Sequence, residues 1–263
     1  MLIENNFFYL SLPRCASTAF NYSCILNDLK IQTNNGEWEN ANSEIDFKKV
    51  DPKKLMNYIY HGHESLSELQ LKFGKNYPVI AVKRDRHERF FSLYKHVLFD
   101  LQRLGYTEIH ERFSNFSLDE LFFFNKEDLS SKRRRWDIIC DYLIDLKLID
   151  QKVDVSVTSM FKKSSEGYFK ENTKGYVVNM VDILITPLSY WTNNDPNIIW
   201  FDFNDMSKLE EWVTQQLNKP FKLYSVNSSK HMDCNITLNE DFIKKYNAIY
   251  DYYDFTKTEK SLI

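Results

Sequence analysis

The sequence predicts an α/β fold, a central, mostly parallel sheet flanked by helices, and three observations predict it. Short, nearly continuous apolar runs occur at residues 7–12, 78–82 and 198–203, which is how strands buried on both faces read. Each run is followed within a few residues by a segment of helical period. Only six glycines and six prolines punctuate 263 residues, so the strand–helix alternation stands out against few other breaks.

The elements follow in chain order. Phe7-Phe8-Tyr9-Leu10-Ser11-Leu12 is the first strand, stopped by Pro13, and a helix is expected from Ala19 to Leu29. Residues 31–50, rich in Asn, Glu and Lys, read as a surface excursion. Asp51-Pro52 then supplies a cap and a first-turn residue for a short helix at 53–57. A brief strand through residues 58–60 leads into His61-Gly62-His63. The clearest buried strand is Pro78 to Val82, followed from Arg86 to Leu98 by an amphipathic helix with Phe90, Leu93, Tyr94 and Val97 on one face. From Ser117 to Leu148 the period is helical, with Trp136, Ile139, Cys140 and Leu143 on a common face. Ser164 to Tyr176, with two glycines and several lysines, reads as a loop. Ile198 to Phe203 is a late strand, Ser207 to Leu217 a helix and Asn239 to Tyr253 a last helix. One domain over residues 1–263, with an insertion around 100–195, is the expected organisation.

Composition excludes several classes. With 43% hydrophobic and 27% charged residues the chain has the material for a core, so general disorder is excluded. Lys and Arg total 34 against 37 Asp and Glu. A net charge of −3 provides no global field for nucleic acid or an anionic membrane, and an anionic ligand must be held by a local cluster. The four cysteines lack the paired spacings of zinc or redox sites and are few for a disulfide scaffold. No run of ~18 apolar residues occurs, and the first residues lack a basic stretch followed by an apolar one. The expectation is a soluble, cytoplasmic or otherwise intracellular chain with no export signal, no membrane span and no nucleic-acid partner.

Two turns carry the local clusters. Pro13-Arg14-Cys15-Ala16-Ser17-Thr18 lies between a buried strand and a helix, where backbone N–H groups and the helix N-terminus can converge on a phosphate or sulfate. Arg14 adds a fixed charge, and Ser17 and Thr18 add hydroxyls; the same residues also suit an ordinary N-cap after a proline turn. A Walker loop is excluded, because neither its glycines nor its lysine is here. A cysteine phosphatase is excluded too, because its arginine six positions after the nucleophile is replaced by Asn21. In the second turn, Val82-Lys83-Arg84-Asp85-Arg86-His87-Glu88-Arg89, Arg84 leaves the strand first and can make a two-pronged phosphate contact, with Ser92 two helical turns on. The competing reading is an ion-paired helix start in which Asp85 and Glu88 neutralise Arg86 and Arg89.

Leu12-Pro13-Arg14-Cys15-Ala16-Ser17-Thr18-Ala19-Phe20 resembles the 5′-phosphosulfate loop of sulfotransferases that use 3′-phosphoadenosine 5′-phosphosulfate (PAPS). The segment from Val82 to Tyr94 resembles their 3′-phosphate motif, with its arginine and serine at Arg84 and Ser92. Between them, Tyr60-His61-Gly62-His63-Glu64-Ser65 and Lys72-Phe73-Gly74 are similar to the heparan sulfate and uronyl 2-O-sulfotransferases. Trp200-Phe201-Asp202-Phe203 resembles the family's late strand, and Val226 to His231, with Ser229 and Lys230, its late ligand-proximal loop. Two positions depart from the pattern: Arg14 stands where the family has lysine, and Arg86 where it has proline after Arg-Asp.

The resemblance implies a P-loop-like phosphosulfate-binding loop and PAPS as donor substrate, with no metal. Arg14 and the N–H groups of Cys15, Ala16, Ser17 and Thr18 would hold the 5′-phosphosulfate, and Arg84 and Ser92 the 3′-phosphate. An alcohol acceptor needs a base, and imidazole suits neutral pH. The resemblance puts that role on His63, with His61 second or orienting and Glu64 in reserve. Ser131-Lys132-Arg133-Arg134-Arg135-Trp136 is the strongest basic run. Arg133, Arg134 and Arg135 are the expected contacts to an acidic sugar chain. The expected activity is transfer of a sulfuryl group to a hydroxyl of a glycan-like acceptor. The alternative is a non-catalytic nucleotide- or polyanion-binding module that uses the same run to hold a partner such as RNA.

Overall fold

The computed structural model describes residues 1–33, 36–38, 63–103, 107, 110–111, 132–145, 147, 149–154, 161–164, 167–170, 175, 178–179, 181–183, 186, 188–225, 240–241, 243–244 and 246–248. They fall into two compact units, Met1–Arg89 with Leu188–Ser228, and Phe90–Pro187 with Ser229–Ile263.

The first unit is built on β2 (Phe7–Leu10), whose four side chains are all fully buried. Their alternation explains this. Phe7 meets the Trp212 ring edge-on at 5.1 Å and Tyr9 stacks on Phe20 at 3.8 Å, while Phe8 faces Phe73 and Tyr77 on the other side. One face is therefore covered by α1 (Ser17–Leu26) and α6 (Met206–Leu217), the other by α2 (Leu66–Phe73). Each such large apolar side chain contributes about 1.5–3 kcal/mol. β5 (Val79–Lys83) and β8 (Ile199–Asp202) extend the sheet in parallel, with Leu10 opposite Ala81 and Ala81 opposite Trp200.

The sheet is α/β in character but mixed rather than mostly parallel. Its order is β4-β3-β1-β2-β5-β8, and β1 (Leu2–Ile3), β3 (Ile31–Thr33) and β4 (Gly36–Trp38) join by antiparallel pairing. β1 turns directly into β2 because Glu4 and Asn5 take left-handed φ values of 51° and 53°, and Asn6 N–H closes on Ile3 O at 2.8 Å. β3 overturns part of the expected surface excursion: Ile31 and Thr33 point into the core although their neighbours are polar. α2 starts at a reciprocal cap, Glu68 N–H to Ser65 Oγ at 3.3 Å and Ser65 N–H to Glu68 Oε2 at 2.7 Å. That Ser-x-x-Glu spacing is the sequence signature of such a cap. α5 (Leu188–Thr192) is tied to α2 through Asn193 Nδ2–H to Ser67 Oγ at 2.6 Å.

α3 (Arg86–Arg103) begins in the first unit and continues into the second. There Phe90, Leu93, Tyr94 and Val97 are buried as its periodicity predicts, and Tyr246 packs on Phe90 at 5.3 Å. α4 (Lys132–Asp145) buries Trp136, Ile139, Cys140 and Leu143, its predicted common face, and the Trp136 indole N–H reaches Val153 O at 2.6 Å. The loop expected from Ser164 instead begins as a hairpin of β6 (Phe161–Ser164) and β7 (Gly167–Lys170), with Ser164 opposite Gly167. Residues 240–241, 243–244 and 246–248 are helical, as expected for the last helix. The predicted helix at 53–57, the strand at 58–60, His61, Ser229 and Lys230 lie outside the described residues. Among the described residues no helix is long and apolar enough to cross a membrane.

Candidate functional site

The sheet itself brings the two cationic turns together. β2 and β5 are adjacent and parallel, so the turns leaving their carboxyl ends emerge side by side. The Arg84 guanidinium donates from Nη1 to Arg14 O at 3.4 Å, which joins them directly.

In the first turn, Cys15 N–H bonds Leu12 O at 3.1 Å, with Pro13 and then Arg14 between them. Pro13 sets the first φ of such a turn, and Arg14 then takes φ 61°, a position that usually selects glycine. Ala16 precedes α1 at φ 62° and ψ 13°. Its carbonyl accepts the first helical bond, from Phe20 N–H at 2.9 Å. Among the described residues no side chain caps α1, and its first turn carries no acidic residue. The carbonyls of the turn are all taken from the protein side: Pro13 O by Arg89 Nε–H at 3.2 Å, Arg14 O by Arg84, Cys15 O by Tyr9 O–H at 3.3 Å. Peptide N–H and C=O groups point in opposite directions. The N–H groups of Arg14 and Ala16 are therefore turned away from those donors, on the side where α1 begins.

Cys15 holds this turn together and does not serve as a ligand donor. Its N–H is spent on Leu12 O and its side chain is fully buried. Burial pushes its thiol pKa up, against the opposing pull of Arg89, Arg84 and Arg14, so it stays protonated at neutral pH. Those same three charges measure how cationic the turn is. Two left-handed non-glycine residues in three positions store strain at this loop, on the order of 1–2 kcal/mol each. Ala16→Gly is expected to raise stability by about 1 kcal/mol in urea denaturation, and an unchanged midpoint would show that the backbone is unstrained there.

In the second turn Asp85 caps α3, accepting from His87 N–H at 2.9 Å and Glu88 N–H at 3.0 Å. A carboxylate thus occupies that helix terminus, and the anion-binding capacity resides in the Arg84 side chain. Glu88 pairs with Arg84 at 3.5 Å as an i, i+4 ion pair. The Arg84 guanidinium lies over the Phe203 ring, 4.4 Å from its centroid. Phe203 gets there because β8 pairs with β5 through Asp202 and Lys83, and Phe203 N–H bonds Lys83 O at 2.9 Å. Arg89 and Phe203 are the residues the sequence reading missed. The signal for Phe203 was an aromatic one residue beyond a strand that runs alongside the one ending before Arg84.

His63 reaches the same edge of the sheet. Its Nδ1–H donates to Ser11 O, the first residue beyond β2, at 2.5 Å. A proton held on Nδ1 leaves Nε2 as the basic nitrogen. Its ring sits 6.1 Å from Trp191, edge to face. No family model, curated protein or solved structure matches this chain. Glu64, the reserve base, is 7% exposed and lies 3.3 Å from the Met1 amino group. Ser17 is buried and Thr18 half-buried at the start of α1. Ser92 is buried in the second unit. The basic run divides: Arg133 and Arg134 are exposed, but Arg135 is buried with Nε 2.8 Å from Asp182 Oδ1. Arg135 is not available to an acceptor, because it is buried and paired with Asp182.

Proposed function

We propose that the first unit binds the bisphosphate moiety of 3′-phosphoadenosine 5′-phosphosulfate and transfers its sulfuryl group to an alcohol. One observation carries the reading. The phosphosulfate-like turn, the Arg84 turn and His63 meet at the carboxyl edge of β2 and β5, linked by Arg84 Nη1–H to Arg14 O and His63 Nδ1–H to Ser11 O. Three segments that resemble successive motifs of one family are thus also neighbours in space.

The chemistry asks little covalent work of the protein, so alignment and charge stabilisation supply most of the catalysis. The acceptor oxygen attacks sulfur, the bond from sulfur to the bridging phosphate oxygen breaks, and the hydroxyl proton passes to His63 Nε2. The N–H groups of Arg14, Ala16, Ser17 and Thr18, with the Arg14 side chain, face the charge that gathers on the departing 5′-phosphate. Arg84 takes the 3′-phosphate, releasing Glu88 to solvent, and Phe203 keeps the guanidinium plane in place. A glycan hydroxyl is the acceptor class that the His63 segment favours.

The test is incubation with sulfur-labelled PAPS across glycans, small alcohols and tyrosine peptides, beside calorimetry with adenosine 3′,5′-bisphosphate. Label transfer and measurable binding are expected. Arg84→Ala should weaken bisphosphate binding by about 10–100-fold, the value of a charge-assisted contact of roughly 1.5–3 kcal/mol. No heat and no thermal shift with the bisphosphate would end the proposal.

A further inference from the structure

Two buried hydrogen-bonding groups on residues that adjoin His63 lack partners among the described residues. The Trp191 indole Nε1–H and the Ser11 hydroxyl both make no hydrogen bond among the described residues, and their residues are 7% and 3% exposed. Buried donors are nearly always satisfied, and one left open calls for a physical explanation. Both residues adjoin the imidazole. His63 is bonded to the carbonyl of Ser11, and its ring is 6.1 Å from that of Trp191. The position is also set firmly. Trp191 lies in α5, packed edge-on against Tyr190 at 5.1 Å, and the helix end is fastened to α2 by Asn193 and Ser67. A donor that rigid cannot turn to find a partner within the protein.

The imidazole can accept a proton at Nε2, and the indole, whose ring centre lies 6.1 Å from that of the imidazole, carries a donor that has no partner among the described residues. That pair complements two neighbouring oxygens on one molecule, a hydroxyl that gives up its proton and a second oxygen on the adjacent carbon that accepts one. We propose that Trp191, with Ser11 assisting, is a specificity-determining residue that selects acceptors carrying an oxygen vicinal to the hydroxyl attacked. This rests on the reading of the first unit as a sulfuryl transferase. In the step itself the acceptor oxygen bonds to sulfur, the bridging S–O bond of the donor breaks to leave the bisphosphate, and the proton goes to His63. The second oxygen is held by Trp191 and undergoes no bond change.

Sulfuryl transfer from labelled PAPS to cis-1,2-cyclohexanediol and to cyclohexanol, in wild type and Trp191→Phe, tests it. Phenylalanine keeps the ring contact and removes only the N–H. The wild type is expected to use the diol at least about tenfold better in kcat/KM, the discrimination one hydrogen bond to a buried donor provides. In Trp191→Phe the two alcohols should come near parity, with the cyclohexanol value and the affinity for adenosine 3′,5′-bisphosphate retained. Ser11→Ala serves in the same comparison if Trp191→Phe does not fold. A wild type that does not distinguish the alcohols, or that uses neither while still binding bisphosphate, overturns the inference. So does an equal fall on both alcohols in the variant, which is what a structural role or a water-filled niche would give. A wild type that binds no bisphosphate overturns instead the functional reading beneath it.

Discussion

His63→Ala is expected to lower sulfuryl transfer by roughly 10²–10⁴-fold while leaving the affinity for adenosine 3′,5′-bisphosphate unchanged. The two halves of that expectation have separate causes. In the proposed site the anion is held by backbone N–H groups at Arg14 and Ala16, by the start of α1 and by Arg84, whereas the imidazole is anchored at Ser11 O. The loss comes from proton transfer alone. Alanine also leaves Ser11 O without its Nδ1–H donor, a loss of about 1–3 kcal/mol in stability if that carbonyl stays buried. His63→Asn separates the effects, because its side-chain amide can replace Nδ1–H toward Ser11 O and has no basic nitrogen. It should recover most of the stability and none of the turnover. If His63→Asn retains wild-type turnover, the base lies elsewhere.

How much of this was legible in the sequence depended on whether the deciding contacts were local. β2 and β5 were readable because strands covered on both faces need unbroken apolar runs, and Phe7 to Leu10 and Val79 to Val82 supply them; the apolar run of β8 marks a strand too, but at the sheet edge, where only Phe201 is buried and Ile199 and Trp200 stay exposed. The buried faces of α3 and α4 followed from period 3.6. β3 was not readable: a three-residue strand such as Ile31–Thr33 has no period to detect, and its place is fixed by pairing with β1. The hairpin at residues 161–170 was misread for a related reason, since lysines and glycine suit loops and edge strands alike. At the site, the anion turn was visible in Pro13 and the helix start. The left-handed φ of Arg14 and Ala16 was not, because neither residue type announces it. Trp191 was invisible as a site residue and Phe203 carried only the signal of its place beyond β8, since each arrives through tertiary pairing well over a hundred residues from the group it touches.

Asp182→Ala is expected to destabilise the protein by about 3–5 kcal/mol, read as a shift of the urea midpoint at constant m-value. Arg135 and Asp182 form an ion pair at 2.8 Å with side chains only 1% and 3% exposed. Removing the carboxylate takes the acceptor from Arg135 Nε, and the buried guanidinium cannot shed its proton to escape burial. Replacing both members by apolar residues of similar volume, as in Arg135→Met with Asp182→Leu, should restore most of the stability, because the penalty comes from keeping a buried charge after its counter-charge is removed rather than from the absence of the pair. This bears on function. A combined neutralisation of Arg133, Arg134 and Arg135 would abolish any acceptor binding simply by unfolding the second unit, and would be mistaken for loss of a contact surface. Arg133→Ala with Arg134→Ala alters only exposed positions and should move stability by no more than about 0.5 kcal/mol. Any fall in the use of an acidic acceptor by that pair, at unchanged bisphosphate affinity and with a dependence on salt, reports the surface itself.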